Sequence, residues 1–517
     1  MSIQPDMTPR LTLNWRGLLP FLVLMLLAGS IRAIMITRPF LPNDEGTAAG
    51  IPVMHAVNFA RYGPLASRLA GVLNSGYVDQ SNWFIYAHHP PLVPLFIASL
   101  YKLFGVAEWS TRAVPALFSL ATTALLFAIA RRRFNQSVAF LAGLFYACAP
   151  MTIALGAMPD YINAQVSFFM LATVETYLRW RETRRPLWFA VTVILFLLGA
   201  LSDWVAFYLG PILAGHYWLR TSSRYAFAGA LALLASAGAV FIMLVLWADW
   251  AGSDVSIFRQ FANRSFASTI TFQEWFGFVI LQHLASLHTW PVLILAVAYA
   301  SIAVLRVCSC RRPVSSGHEI VTLLMLIVVV HLGVAIRGNA QSWWLTIATA
   351  PLALAAAVGC ETFLRTLVRD RWRKWGLTTM AVFFLICSAP AAYWKVTEQW
   401  FLGNYTSKEL GLVIRSISRP DEGVLTSAPA WADPTLRFYA DRQLRTNVDS
   451  VTALSSSLSE RWYGLPFDYY QLDGPRPRWF VMPPEQREAL KSLAAELSAR
   501  FPRRDVGGYA VYDLTDR

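Results

Sequence analysis

Charge is scarce in this chain: of 517 residues only 15% are Asp, Glu, Lys or Arg, against 56% hydrophobic. A soluble core needs no such excess, and here the apolar residues come in long runs rather than short amphipathic periods. Cysteine is scarce as well. Of five, Cys148, Cys360 and Cys387 lie inside apolar runs and Cys308 and Cys310 in a basic loop. None falls in a stretch expected outside the membrane, so no disulfide framework is expected, and Cys308-Ser-Cys310 lacks the second pair that a zinc site requires. There is no internal repeat and no low-complexity segment. No small-residue cleavage site stands out after Arg10 and Arg16, so the first apolar stretch reads as a retained helix rather than a signal peptide.

What is present in quantity is hydrophobic length. A bilayer core takes roughly 20 apolar residues per helix, and such windows recur from Leu18 to Tyr393. Eleven candidate spans follow: 18–35, 112–130, 137–156, 161–179, 187–202, 204–219, 225–247, 289–307, 319–336, 343–364 and 375–393. The expected fold class is a polytopic α-helical membrane protein with about 11–13 transmembrane helices and a small C-terminal soluble α/β domain. The formal charge of +13 does not point to nucleic acid, because its Lys and Arg sit in short clusters between apolar segments: Arg131-Arg132-Arg133, 179–185, 220–224, 306–312 and 365–374. All fall on one side of the count, which the positive-inside rule makes the cytoplasm. That predicts a multi-pass protein of the cell (inner) membrane with its N-terminus cytoplasmic.

The other polar features then lie outside: the long loop 37–110, the turn at Asp160, Asp203, the loop 248–288, the stretch 337–344 and the C-terminal tail. Within the first loop, 92–104 is apolar but too short to span and reads as an interfacial helix. The division expected is a membrane module over residues 1–393 and an extracytoplasmic domain over 394–517, in which 424–427, 479–482 and 509–512 look like strands and 485–500 like an amphipathic helix.

Several outer residues carry potential chemistry. Asp44 and Glu45, in Asn43-Asp44-Glu45 just after the first span, are two carboxylates at an interface, where they need water, a metal or a cation. His88 and His89 precede Pro90-Pro91, which bar regular helix there and fix how the imidazoles project; a charged His is a phosphate contact. Asp160, after Pro159, suits a helix N-cap and does not thereby lose a second role. Arg337 closes a late span on the same side.

In this order the residues resemble the GT-C glycosyltransferases that use polyprenyl-phosphate sugars, the branch with the lipid A aminoarabinose transferase and the protein O-mannosyltransferases. The matching pieces are Asn43-Asp44-Glu45, Phe59-Ala60-Arg61-Tyr62-Gly63, His89-Pro90-Pro91-Leu92, Arg112, Asp160, 344–355 with Pro351, and Phe438-Tyr439-Ala440-Asp441-Arg442 in the tail. The pattern departs at His89, where relatives often carry Lys, and leaves Asp203 unassigned.

The resemblance implies catalytic roles for Asp44, Glu45 and Asp160 and donor-phosphate contacts at Arg61, His88, His89 and Arg337. In such a transfer an acceptor hydroxyl attacks the anomeric carbon, a carboxylate takes its proton, and cations hold the leaving phosphate. A single displacement with one base inverts the sugar. The partners implied are a polyprenyl-phosphate-linked sugar, a lipid, glycan or protein acceptor, and membrane lipids, with no nucleic acid. Members of the wider class differ over a divalent cation, Mg or Mn, whose ligands here would be Asp44, Glu45 and Asp160. A transporter or flippase would carry its charges near the midplane, often with repeats, and a noncatalytic envelope-assembly subunit would use Asp44 and Asp160 only as caps.

Overall fold

The computed structural model describes residues 15–41, 44–221, 226–254, 256–264, 271–308, 316–336, 342–400, 406–429, 433–464, 470–472 and 474–515. Helices α1 (Trp15–Ile36), α2 (Asp44–Tyr62) and α3 (Leu92–Phe104) lead into α4 (Glu108–Arg133), which has Glu108 in its first turn and three Arg in its last, each charge complementing the nearer end of the dipole. The expected span 137–156 is broken into α5 (Gln136–Ala147) and α6 (Pro150–Leu155), because Pro150 has no N–H to continue the ladder and opens a new helix instead. Next come α7 (Ala164–Thr183) and α8 (Pro186–Ala200), and then a 3₁₀ turn, Trp204–Tyr208, ahead of α9 (Leu209–Arg220) and α10 (Ala226–Ala251). The short helices α11 (Ile257–Arg264), α12 (Phe272–Trp275) and α13 (Ala285–His288) follow, the last two joined by a π-helical stretch, Phe276–Leu284. The module closes with α14 (Trp290–Cys308), α15 (Ser316–Val334), α16 (Thr346–Leu367) and α17 (Asp370–Trp400), which runs on past Tyr393.

Each of the eleven expected spans contains helix, although 137–156 is broken and 161–179 becomes helical only from Ala164. Among the described residues six helices are long and apolar enough to cross a membrane, or seven if the pair Phe272–His288 and Trp290–Ala303, bent by 108°, is one span. The others fall short because they are broken, as α5 is by Pro150, carry charge, as α7 does at Glu175, Arg179 and Arg181, or are too short, as α8 is. At the centre stands α16, buried over 89% of its apolar window, whereas α17 is buried over 17% and faces outward. Alanines and Gly359 make that centre possible: a Cβ on Gly359 would come within 2.8 Å of the Leu295 carbonyl of α14, the close approach of small residues that membrane bundles use.

One end of the bundle gathers the arginine clusters. Glu175 is bonded by Arg133 (2.9 Å) and Arg179 (2.8 Å), and Glu319 by Arg181 and, at 3.4 Å, Arg220. Both carboxylates are buried, and pairing two cations with each offsets the desolvation cost that a lone buried charge would carry.

The opposite end carries α2, the hairpin β1 (Gly71–Val72)/β2 (Ile85–Tyr86), α3 and the C-terminal domain. In that domain β3 (Gly423–Thr426), β4 (Gln443–Arg445), β7 (Pro477–Met482), β8 (Arg503–Val506) and β9 (Tyr509–Asp513) form a sheet of order β4-β3-β7-β9-β8; β5 (Trp462–Gly464) and β6 (Tyr470–Leu472) pair separately. Successive residues of β7 face opposite ways. Trp479 and Val481 join a core with Leu410 and Ile414 of α18 (Thr406–Ile417) and Leu436 of α19 (Asp433–Ala440). Phe480 and Met482 join Leu454 of α20 (Val451–Ser459) and Leu497 of α21 (Lys491–Arg500) on the other face. A small α/β domain results.

The tail motif Phe438 to Arg442 docks this domain on the segment between α1 and α4. Asp441 receives two bonds from Arg61 (2.5 and 2.6 Å), the Tyr439 hydroxyl accepts from the Phe40 amide (2.8 Å), and the Arg442 carbonyl accepts from Ser75 (2.6 Å). Lys408 pairs with Glu108 at 2.6 Å. The first loop is therefore an ordered platform.

Candidate functional site

The segment Tyr86 to Leu92 is pinned against the turn between α8 and α9. Pro90 and Pro91 deny it a helical ladder, and it takes bonds from its neighbour instead: the Leu92 amide donates to the Leu201 carbonyl (3.1 Å), and Trp204 Nε1 donates to the His88 carbonyl (2.6 Å). His89 then lies with Nδ1 3.4 Å from Asp203 Oδ2, and Asp203 uses its other oxygen to accept the Val205 amide (3.1 Å) as N-cap of the 3₁₀ turn. The ring of His88 meets that of His89 edge-on at 4.5 Å.

From the other side comes the irregular loop between α6 and α7. Asn163 donates to the Leu155 and Met158 carbonyls (2.5 and 2.7 Å), and Gln165 donates to the Asp160 and Tyr161 carbonyls. Buried non-helical backbone is thereby satisfied. The loop holds Tyr161 flat on His89, ring centroids 4.3 Å apart and planes 7° from parallel, and the Tyr161 hydroxyl lies 2.6 Å from Nδ1 of buried His55 on α2. Burial first, and then the neighbouring His89, push His55 down to about 3, so this imidazole is neutral.

Below these rings a cavity of ≈280 Å³ opens among α10, α11, α15 and the turn before α16. His88, His89 and Asp203 form its polar end, and Trp204, Phe207, Phe241, Phe258, Phe261, Val334 and Trp344 are among its apolar walls. The arrangement suits an amphiphile, an anionic or polar head by the imidazoles and a hydrocarbon tail along the aromatics.

Of the residues expected from sequence, His88 and His89 are brought together at the cavity, and Asp160 sits one residue from the ring stacked on His89. Asp160 is not the helix cap that Pro159-Asp160 suggested. Asn163 occupies the N-cap position of α7, while Asp160 Oδ1 accepts from the adjacent Tyr161 amide (2.7 Å), because the loop turns before the helix starts. Arg61 is not brought to the cavity: Asp441, the Gly76 carbonyl (2.5 Å) and Asn58 (3.1 Å) take up its guanidinium. Asp44 and Glu45 open α2, but their side chains, like the whole of Arg337, lie outside the described residues. Arg337 belongs to the stretch between Ala335 and Trp344, both of which line the cavity. Among the described residues no three His, Cys, Asp or Glu side chains stand together as a metal site, and of the expected cation ligands only Asp160 has a described side chain. Asp203 is the residue sequence reasoning left unassigned; its signal was a lone carboxylate between two apolar runs.

Residues 88–248, which include His88, His89, Asp160 and Asp203, match the family described as dolichyl-phosphate-mannose-protein mannosyltransferase. No curated protein matches the chain by sequence. Among solved structures the chain is similar to ArnT from Cupriavidus metallidurans bound to undecaprenyl phosphate, with 15% identity and a TM-score of 0.56 over 96% of this chain and 97% of that one. It is also similar to the Archaeoglobus fulgidus oligosaccharyltransferase in the apo form, with 13% identity and a TM-score of 0.61 over 92% of this chain and 70% of that one. A third is the oligosaccharyltransferase AglB of the same archaeon in complex with an inhibitory peptide and a dolichol-phosphate, with 12% identity and a TM-score of 0.58 over 96% and 74%.

Proposed function

We propose that this multi-pass membrane protein, whose fold is that of the GT-C glycosyltransferases, moves a sugar from a polyprenyl-phosphate donor to an acceptor hydroxyl. The observation that carries the reading is the amphiphilic cavity, with two imidazoles at one end and aromatic walls along the rest. A lipid phosphate has that polarity. The matched family and the neighbours' undecaprenyl phosphate and dolichol-phosphate support the same donor class.

In the reaction the acceptor oxygen bonds to the anomeric carbon as the carbon–oxygen bond to the lipid phosphate breaks. Asp44 takes the acceptor proton, and His88, His89 and Arg337 hold the leaving phosphate. Asp160, with Glu45, helps hold donor or acceptor. One base and one displacement give inversion. By the positive-inside rule the arginine-rich end faces the cytoplasm, so the site and the C-terminal domain are extracytoplasmic. Transfer from a polyprenyl-phosphate sugar in membranes carrying wild type or Asp44→Asn tests the assignment. Transfer by wild type and its loss in the variant are expected; wild-type rates in Asp44→Asn would remove the base.

A further inference from the structure

We infer that Asp203 is a positioning residue for the donor phosphate, acting through His89 so that donor binding takes up a proton. The inference rests on the proposed lipid-phosphate function.

Asp203 is 5% exposed and sits between two apolar helical segments, where a carboxylate is costly unless it is partnered. Its capping bond to the Val205 amide uses one oxygen only, and Asn caps as well as Asp. The other oxygen faces His89 Nδ1 at 3.4 Å. A cap alone does not explain why the residue is Asp rather than Asn; an imidazole partner does. The ring it faces is held in place: Tyr161 stacks on it, His55 holds the Tyr161 hydroxyl, and Pro90 restricts its backbone.

With Nδ1 turned to the carboxylate, Nε2 is the nitrogen left for an anion in the cavity. A neutral imidazole donating from Nδ1 presents a lone pair at Nε2 and repels phosphate. The doubly protonated ring donates from both nitrogens and bridges two anions, Asp203 and the lipid phosphate. The groups facing His89 are Asp203 on the 3₁₀ turn, Tyr161 ahead of α7, His88 and Tyr86 on its own segment, and His55 on α2. Asp203 is the one acid paired with it among the described residues. Charged on both nitrogens, the ring joins Asp203 to the phosphate, and Asp203 is what makes that charge tolerable in an apolar cavity.

The test is calorimetry of undecaprenyl phosphate binding to the full-length protein in detergent, in pairs of buffers of different ionisation enthalpy, from about pH 6 to about pH 9 around the ordinary His titration. Wild type should take up as much as one proton per lipid at the alkaline end, with affinity falling as pH rises. Asp203→Asn keeps the cap and should bind on the order of tenfold more weakly at neutral pH, the loss expected for a charge-assisted contact. His89→Lys supplies a permanent cation and should abolish the proton uptake, and in that background Asp203→Asn should no longer alter the pH profile. The inference is overturned if Asp203→Asn matches wild type in affinity and proton uptake, or if it weakens binding equally, at every pH, with His or Lys at position 89. Absence of saturable binding to wild type overturns the lipid-phosphate function along with it.

Discussion

Acidification should unlatch the platform formed by α2 and the β1/β2 hairpin through His55. This imidazole is 1% exposed, and burial, then His89, set it at about 3, against about 6.5 when the chain is unfolded. Between those values the unfolded chain binds one proton more than the folded one, so stability rises with pH and is lost as pH falls. The contribution is complete above the unfolded value and declines below it by about 1.4 kcal/mol for each pH unit. From pH 7.5 to pH 5 the loss from this one group is about 2 kcal/mol. Protonation would also compete for the 2.6 Å contact with the Tyr161 hydroxyl, and Tyr161 is the surface on which His89 lies. Hydrogen exchange in 50–86 and 156–163, followed against pH in wild type and His55→Gln, reads the effect locally. Protection, with the intrinsic pH dependence of exchange divided out, should fall on acidification in wild type and much less in the variant, which has no proton to gain. Parallel pH curves for the two proteins would refute the reasoning.

Three other outcomes follow from the geometry. Asp441→Asn removes the charge that receives two bonds from Arg61 while keeping a residue that tolerates the left-handed φ of +49° at that position; with both side chains partly exposed, the docking of the C-terminal domain should weaken by about 1–2 kcal/mol, read as roughly tenfold faster exchange across 71–86 and 433–445. Gly71→Ala places a methyl into the His55 ring, so either the β1/β2 hairpin or the imidazole must move, and sugar transfer should fall much more than total helix content by circular dichroism; unchanged transfer would mean the His55–Tyr161–His89 stack is dispensable. Asp421→Cys, at an exposed position just ahead of β3 and in a background without native thiols, should react with an impermeant maleimide from outside, and Arg184→Cys, also exposed, should not; the reverse pattern would invert the orientation.

Hydrophobic length made the longest membrane helices legible, because a run of twenty apolar residues has few other uses; each of the eleven expected stretches contains helix, and six or seven are long and apolar enough to cross among the described residues. The interfacial helix 92–104 and the strands around 424, 480 and 510 were readable for the same kind of reason, each having a period or length of its own. α2 was not. Its polar residues, among them His55, Asn58 and Arg61, pack against Tyr161, the hairpin and Asp441, partners far away in sequence, so no local apolar run announces it. The same long-range character hid the surroundings of two residues: Asp160 resembles a cap until Asn163 is seen in that position, and the Asp441 partner of Arg61 comes from the tail. Asp203 became meaningful only when the fold brought it to His89.

A lipid-linked sugar seated in the cavity below His88 and His89 should stay with the protein when it leaves the membrane. Native mass spectrometry of the purified full-length protein tests it most directly. The account predicts a bound species with the mass of a polyprenyl phosphate bearing a sugar, carried by wild type and depleted in His89→Ala. Ordinary bilayer phospholipids alone, equally retained by both proteins, would contradict it.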